Sequence, residues 1–226
     1  MSALLEIESV TKIYQVKQNM NNATIALRGV SMTVHTGEFR VINGPSGSGK
    51  STLLHIISGI DSPTDGIVKF DGIPINTLSD DQRTELRRKD IVLIFQSFEL
   101  IQSLTVYENI EYPLRLLGTS RNLRRDIVYA LLKELDIENF SSRFPRELSG
   151  GQQQRVGICR ALAVSPRILV GDEITANLDS ENANRVYEIL KQRQKQEGMT
   201  VITVSHDETL TKYADKVITL RDGRVV

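Results

Sequence analysis

A glycine-rich stretch, GPSGSGKS at residues 44–51, constrains the fold of this chain more than any other feature of its sequence. The apolar run RVIN stands before it, and Leu53, Leu54, Ile57 and Ile60 follow it at helical spacing. A strand, a glycine-rich turn and a helix in this order are typical of a phosphate loop, where backbone N–H groups and a helix N-terminus converge on an anion. The stretch therefore predicts a nucleotide-binding α/β core.

Each residue type in this phosphate loop suits a contact with a nucleotide. We expect Lys50 to reach the β- and γ-phosphates and Ser51 to ligate Mg²⁺. A flexible Gly/Ser turn without a ligand is the alternative, and the position between a strand and a helix disfavours it. The predicted nucleotide-binding residues are Gly44, Pro45, Ser46, Gly47, Ser48, Gly49, Lys50, Ser51 and Thr52.

An acidic pair, Asp172 and Glu173, follows the apolar run at residues 168–170. In a parallel sheet, carboxylates at the C-terminal end of a strand emerge at the edge where ligands bind. Asp172 suits water-mediated binding of Mg²⁺, and Glu173 suits polarisation of an attacking water. A helix start or a solvated turn is the competing interpretation, but the phosphate loop upstream favours the catalytic one.

Composition narrows the possible partners and the compartment. Lys+Arg and Asp+Glu both number 28 in 226 residues, which argues against a broad electrostatic attraction to nucleic acid or anionic lipid. The one cysteine, Cys159, and a start without a secretion signal predict the cytoplasm. Apolar runs such as residues 91–95 and 201–204 are far shorter than the ~20 residues of a membrane helix. A membrane location would therefore require a partner.

The order of patterns along the chain predicts one domain with an insertion. The opening alternates as strands do, and the Asn/Gln-rich residues 15–22 predict a solvated loop. Residues 97–147 carry helical patterns and few strand signals, which indicates a helical lobe between core segments 1–96 and 148–226. A strand, a helix over 180–197, a second strand and a hairpin turning at residues 222–223 complete a mainly parallel sheet.

The motif LSGGQ at residues 148–152 narrows the family, because phosphate-loop enzymes in general lack it. With this motif between the phosphate loop and the acidic pair, the chain resembles the ATP-binding subunits of ABC transporters over essentially its whole length. The resemblance implies an α/β fold: a P-loop NTPase core, an N-terminal antiparallel β subdomain and an inserted α-helical subdomain. It also implies that Ser149, Gly150, Gly151 and Gln152 contact ATP bound to a second copy, packed head to tail.

Four further positions take their roles from this resemblance. Tyr14 is similar to the aromatic residue that stacks on adenine, Gln96 to the residue that contacts Mg²⁺ and the attacking water, and His206 to the histidine that contacts the γ-phosphate. Asp179 lies in the loop that contacts the partner copy, and a helix N-cap is the competing interpretation. A strand Tyr is also typical of packing. Ile174 and Gly171 depart from the family pattern, which usually has Pro and a bulkier apolar residue at these positions.

The sequence FQSFELIQSLTVYENI is similar to the branch of lipoprotein-release and macrolide-efflux ATPases, and to a cell-division ATPase. The resemblance implies ATP and Mg²⁺ as ligands, ATP hydrolysis as the activity, and an integral membrane permease as partner on the inner face of the cell membrane. Apolar Phe98, Leu100, Ile101 and Leu104 predict an exposed docking patch. Cassette ATPases of cell division, DNA repair or translation remain an alternative. Phosphate-loop kinases and GTPases are disfavoured, since neither explains LSGGQ.

Overall fold

The structure, a computed structural model, describes residues 2–15, 23–205 and 208–226. Six α-helices occur in this part of the chain, and none of them is long and apolar enough to cross a membrane. The helices are α1 Lys50–Ile57, α2 Asp80–Lys89, α3 Val106–Leu116, α4 Arg121–Glu134, α5 Gly150–Leu162 and α6 Ser180–Glu197. The strands are β1 Ala3–Gln15, β2 Ala23–His35, β3 Phe39–Asn43, β4 Asp65–Phe70, β5 Ile73–Pro74, β6 Ile91–Ile94, β7 Ile168–Asp172, β8 Thr200–Val204, β9 Lys216–Arg221 and β10 Arg224–Val225.

The strands form two sheets. The first is antiparallel, with the order β2-β1-β4-β5. The second has the order β10-β9-β3-β8-β7-β6, and every pair in it is parallel except the closing β9–β10 hairpin. All five residues of β8 are buried, as expected for a parallel strand covered on both faces. The predicted fold class is confirmed.

Two apolar clusters fill the space around the second sheet. On one side, Ile42, Val170 and Ile202 pack with α1 and the antiparallel sheet. On the other side, Val41, Leu169 and Val201 pack with α3, α4, α5 and α6. Because successive residues of a strand point to opposite faces, each neighbouring pair of strand residues divides between the two clusters.

Residues 97–147 contain α3, α4 and short 3₁₀ turns. A capping box begins α3, since Thr105 accepts a hydrogen bond from the Glu108 N–H and the Glu108 carboxylate accepts one from the Thr105 N–H. Helix α5, which follows this segment, packs against both α3 and α4. Because α5 lies after residue 147 but packs with helices that lie before it, packing does not divide the chain between residues 147 and 148. The domain boundary there stays a prediction.

Several local predictions agree with the structure and two need correction. Helix α6 spans Ser180–Glu197 as the pattern indicates, and the last hairpin turns at Asp222 and Gly223. Gln15, predicted in a loop, ends β1, while residues 16–22 lie outside the described chain. Leu100, predicted in an exposed patch, is only 8% exposed because it packs with the helices of the second cluster.

Gly66 and Gly72 give a test of how closely the antiparallel strands approach. Both have positive φ, but a Cβ on Gly66 would lie 2.6 Å from the Glu8 and Ser9 carbonyl oxygens, whereas a Cβ on Gly72 meets no atom within 4 Å. We expect Gly72→Ala to lower the free energy of unfolding by about 1–2 kcal/mol through the backbone conformation alone. Gly66→Ala adds a steric term and should cost more, as measured by urea denaturation. Equal costs would contradict the close approach of β4 to β1.

Candidate functional site

The carboxyl ends of three neighbouring parallel strands define the candidate site. Strand β3 leads into the phosphate loop, β7 ends at Asp172, and β8 lies between them. The register pairs Ile42 of β3 with Val204 of β8, and Asp172 of β7 with the same Val204. The fold therefore brings the phosphate loop and the acidic pair to one edge, while His206, which follows β8, lies outside the described residues.

Glycine is required by the backbone of the phosphate loop at both of its ends. Gly44 has φ +147°, and a Cβ there would lie 2.1 Å from the Leu220 carbonyl oxygen. Gly49, the N-cap of α1, has φ +101°, and a Cβ there would lie 2.4 Å from the Ala26 carbonyl oxygen. The loop can thus press against β2 and β9 only because these two positions lack side chains.

The groups of the loop are arranged for an anion. The first turn of α1 has no acidic residue and no side-chain cap, so its N–H groups and the positive end of the helix dipole meet no internal counter-charge. Lys50 is 7% exposed and donates to the carbonyl oxygens of Gly44 and Pro45 at 2.8 and 2.9 Å. Ser51 is exposed in the same turn. A triphosphate would give Lys50 a charged acceptor in place of two carbonyls.

Glu173 is held at this edge by Gln96, which follows β6, and by Val204 of β8. Its carboxylate accepts a hydrogen bond from Gln96 Nε2 at 3.0 Å, and its backbone N–H donates to the Val204 carbonyl at 3.2 Å. Its φ of +50° is uncommon for a residue other than glycine. The conformation turns the chain sharply after β7, and strained backbone of this kind clusters at functional sites.

The two departures from the family pattern fit each other in space. A Cβ on Gly171 would lie 2.5 Å from Ile174 Cγ2, so the Ile174 side chain occupies the place of a side chain at position 171. Ile174 is 2% exposed and belongs to the apolar cluster on the side of α3, α4, α5 and α6. The turn that carries Glu173 is thus tightly packed, because Gly171 has no side chain and the Ile174 side chain fills the space beside it.

The LSGGQ motif begins α5 and packs on the loop at residues 177–178. Ser149 caps the helix in a box with Gln152. A Cβ on Gly151 would lie 3.0 Å from the Asn177 carbonyl oxygen, and Asn177 Nδ2 donates to the buried Gln154 Oε1 at 3.3 Å. Among the described residues, no hydrogen bond joins this motif to the phosphate loop of the same chain.

Tyr14 lies near the exposed end of β1, and its hydroxyl donates to Asp61 Oδ2 at 2.8 Å. Partial burial and the Asp61 hydrogen bond raise the pKa of Tyr14, and the nearby Thr52 hydroxyl acts in the opposite direction. The structure thus brings Tyr14 beside the helix of the phosphate loop. Its 41% exposure leaves much of the ring open.

Asp179 is the N-cap of α6, as one of the two interpretations predicts. Its carboxylate accepts hydrogen bonds from the Asn182 backbone N–H at 2.9 Å and from Asn182 Nδ2 at 2.8 Å. The backbone hydrogen bond, followed by the side-chain one, lowers the pKa of Asp179. Capping does not exclude a contact with a partner, since Asp179 is exposed.

Two residues of the site, Asp61 and Gln154, carry no local sequence signal. Asp61 follows the end of α1 and is indistinguishable in sequence from a turn residue. Gln154 is the last of three consecutive glutamines, and only the packing of α5 shows that it is 1% exposed. Helical spacing from the apolar Ile158 marks the buried face, but it does not name the partner of a polar side chain on that face.

Comparisons with known proteins identify a family and several relatives. The model of the ABC transporter family matches residues 27–176. An uncharacterized ABC transporter ATP-binding protein of Methanocaldococcus jannaschii, MJ1508, is 44% identical over 223 residues, covering 99% of this chain and 98% of that protein. The macrolide export ATP-binding/permease protein MacB 1 of Yersinia pestis is 41% identical over 226 residues, covering 100% of this chain and 34% of that protein.

A solved structure extends the likeness to the whole fold. The ATP-binding cassette MJ0796 of Methanocaldococcus jannaschii, solved as a dimer in a post-hydrolysis state bound to ADP and Pi, has a TM-score of 0.93 at 41% identity. The match covers 98% of this chain and 96% of that chain. This chain therefore belongs to the ABC transporter family, is an ATP-binding and ATP-hydrolysing protein, and is similar to a macrolide-export member of that family.

Proposed function

We propose that this chain hydrolyses ATP with Glu173 as the general base and transmits the resulting dimer motion to a separate membrane subunit. One observation carries the catalytic assignment: the Glu173 carboxylate is held by Gln96 at the same sheet edge as the phosphate loop. A carboxylate in this position can orient a water molecule and accept its proton. Export, lipoprotein release and mechanical signalling across the membrane are the processes open to such a motor.

The groups at the sheet edge fit Mg²⁺. Ser51, Gln96 and Asp172 offer hydroxyl, amide and carboxylate oxygens, the donor type that Mg²⁺ prefers. Gln96 uses its Nε2 on Glu173, which leaves its amide oxygen available as a ligand. The described residues contain no cluster of three His, Cys, Asp or Glu able to hold a metal, in keeping with an ion bound through few protein groups and the substrate phosphates. The ion would neutralise charge on the β- and γ-phosphates.

Phosphate binding, proton transfer and positioning are assigned to separate residues of the chain in this proposal. Lys50 and the loop backbone from Gly44 to Gly49 bind the phosphates, and Thr52 follows in the first turn of α1. Glu173 accepts the proton of the attacking water, while Gln96 positions the carboxylate. His206, which follows β8, is proposed to donate a hydrogen bond to the γ-phosphate.

The LSGGQ motif supports a head-to-tail dimer. Its helix N-terminus can bind an anion, yet within the described residues no hydrogen bond links it to the phosphate loop of its own chain. A second copy that places Ser149, Gly150, Gly151 and Gln152 on the γ-phosphate would complete each site, with Asp179 near the contact. The dimeric MJ0796 structures support such an assembly.

Substitution of Glu173→Gln tests the base and the dimer together. The amide keeps the shape of the side chain but cannot accept the proton, so hydrolysis should fall by about 10² to 10⁴-fold. ATP should stay bound through Lys50 and Ser51, and the closed dimer should accumulate. Size-exclusion chromatography should show a dimer with ATP and a monomer with ADP.

Adding Ser149→Arg to Glu173→Gln provides the control for this assembly. The arginine side chain should block the γ-phosphate site contributed by the second copy and abolish the ATP-dependent dimer. Near-normal hydrolysis by Glu173→Gln would refute the base assignment. Lost hydrolysis without a dimer at saturating ATP would instead contradict the head-to-tail arrangement.

The pair of Gly171 and Ile174 predicts a separable effect on turnover. Gly171→Ala should displace the Ile174 side chain and shift Glu173, and a misplacement near 1 Å can cost about 10²-fold in rate. We expect kcat to fall while the Kd for ATP changes little. Adding Ile174→Ala should restore part of kcat, because it removes the Ile174 atoms that the new Cβ meets and leaves Thr203 Oγ1 at 3.2 Å. A loss of kcat that Ile174→Ala leaves unrelieved would contradict this account.

A groove that includes Phe98 and Ile101 of the predicted patch, but neither Leu100 nor Leu104, is the proposed docking site for the membrane subunit. Helices α2, α3 and α5 and strand β6 border it, with Arg87 and Arg88 on one rim. Its apolar lining includes Val92, Leu93, Phe95, Ile101, Tyr112 and Leu116. Docking here would place the chain in the cytoplasm, peripheral on the inner face of the cell membrane. Gln96 directly follows Phe95 of the groove, so a partner bound there would contact the residue next to Gln96.

Charged substitutions with a matched control test this docking site. Leu116 in the groove is 50% exposed and Leu123 on α4 is 53% exposed, so both tolerate charge without loss of the core. We expect Leu116→Glu to reduce recovery of the membrane subunit from detergent extracts, and Leu123→Glu to leave it unchanged. ATP hydrolysis by the isolated chain should persist in both variants. Equal recovery with Leu116→Glu would exclude the groove.

A further inference from the structure

Lys12, Tyr14 and Asp61 form a compact cluster next to the phosphate-loop helix. The Asp61 carboxylate accepts three hydrogen bonds: from Lys12 Nζ at 2.6 Å, from the Tyr14 hydroxyl at 2.8 Å and from the Ser62 backbone N–H at 2.7 Å. Lys12 Nζ also donates to the Ser62 carbonyl at 2.7 Å. The Tyr14 hydroxyl is therefore held by the Asp61 carboxylate, which Lys12 and the Ser62 backbone hold in turn.

Lys12 packs against the ring of Tyr14. Lys12 Nζ lies 4.9 Å from the ring centroid, within the range of a cation–π contact. Lys12 has a side chain only 12% exposed, whereas Tyr14 is 41% exposed. One ammonium group thus packs against the ring and pairs with the carboxylate that holds the ring's hydroxyl.

The cluster is tied to the phosphate loop through α1. The backbone N–H groups of Ile60 and Asp61 both donate to the His55 carbonyl, at 2.9 and 3.1 Å, so the end of α1 fixes the position of Asp61. The Thr52 hydroxyl near Tyr14 belongs to the first turn of the same helix. One short helix therefore sets the distance between the phosphate site and the aromatic ring.

From this geometry we infer that Lys12 and Asp61 are positioning residues. They hold the Tyr14 ring in place before the nucleotide binds, so that the nucleobase can stack on it. The inference rests on a role that we propose for Tyr14 from the family resemblance, namely that its ring stacks on the base of the nucleotide. A ring held in place before the ligand arrives loses less conformational entropy on binding than a freely rotating one. Neither residue hydrogen-bonds the phosphate loop at residues 44–51, so we expect the contribution to affect the binding of the base and not of the phosphates.

Charge keeps the cluster intact. Partial burial of the Asp61 carboxyl would raise its pKa, but the hydrogen bonds from Lys12 and Tyr14 outweigh this effect and lower the pKa. Asp61 is therefore ionised at neutral pH and remains an acceptor for both donors. Removal of the carboxylate would release the phenol and leave the Lys12 ammonium without its counter-ion.

Two probes separate base binding from phosphate binding: Mg·ATP, and Mg·tripolyphosphate, which has no base. Asp61→Ala and Tyr14→Phe should each raise the Kd for ATP by roughly 2- to 12-fold, the cost of ordering one side chain. The Kd for tripolyphosphate should stay the same. The double variant should bind ATP no more weakly than the weaker single variant, since both changes remove the same hydrogen bond between Tyr14 and Asp61.

Further variants make the result specific. Lys12→Met should weaken ATP binding in the same way, and Lys12→Arg, which keeps the cation and a donor, should restore most of it. Asp81→Ala, an exposed aspartate in α2, should leave both constants unchanged. Tyr14→Phe also covers the case in which Asp61→Ala fails to fold, because it removes only the hydroxyl.

Three outcomes would overturn the inference. An unchanged Kd for ATP in Tyr14→Phe and Lys12→Met would show that the ring needs no positioning. Equal losses for ATP and tripolyphosphate would show an indirect effect through α1 instead. A Kd for ATP that is unchanged in Tyr14→Ala would remove Tyr14 from the base site, whereas ATP hydrolysis and its dependence on Glu173 would stand unaffected.

Discussion

The parallel pairing of β3, β8 and β7 is the constraint on which the rest of the site depends. Because these strands run in one direction, the phosphate loop after β3 and Glu173 after β7 must emerge at the same edge. Burial on both faces fixes the register, since a slip by one residue would exchange the two apolar clusters. The geometry of the candidate site is thus a consequence of core packing.

The turn after β7 carries Glu173 and leads directly to the segment that packs on the LSGGQ motif. Residues 173–178 form successive turns, with Ala176 N–H donating to the Glu173 carbonyl and Leu178 N–H to the Thr175 carbonyl. Asn177 then contacts Gly151 of the LSGGQ motif. Only a few residues therefore separate Glu173 from the segment that packs on the LSGGQ helix. The missing side chain of Gly151 is what permits this contact.

The sequence predicts best where one physical rule acts alone. Period and capping define α6, and the loop motif locates the phosphate site, because these signals are local. Burial of Leu100 could not be predicted, since an apolar residue near a helix start can face the core or a partner with the same pattern. Asp61 and Gln154 depend on neighbours distant in sequence, Lys12 and Asn177, which only the fold brings within hydrogen-bonding distance.

Departures from a family pattern have a different meaning once their contacts are known. Taken singly, a glycine at 171 removes packing and an isoleucine at 174 adds bulk, and each would be expected to disturb the turn of Glu173. Together they conserve volume, because the Ile174 side chain fills the space that Gly171 leaves. Glu173 keeps its contacts with Gln96 and Val204 in this arrangement. The unit that supports the turn of Glu173 is therefore the pair, and neither residue can be interpreted without the other.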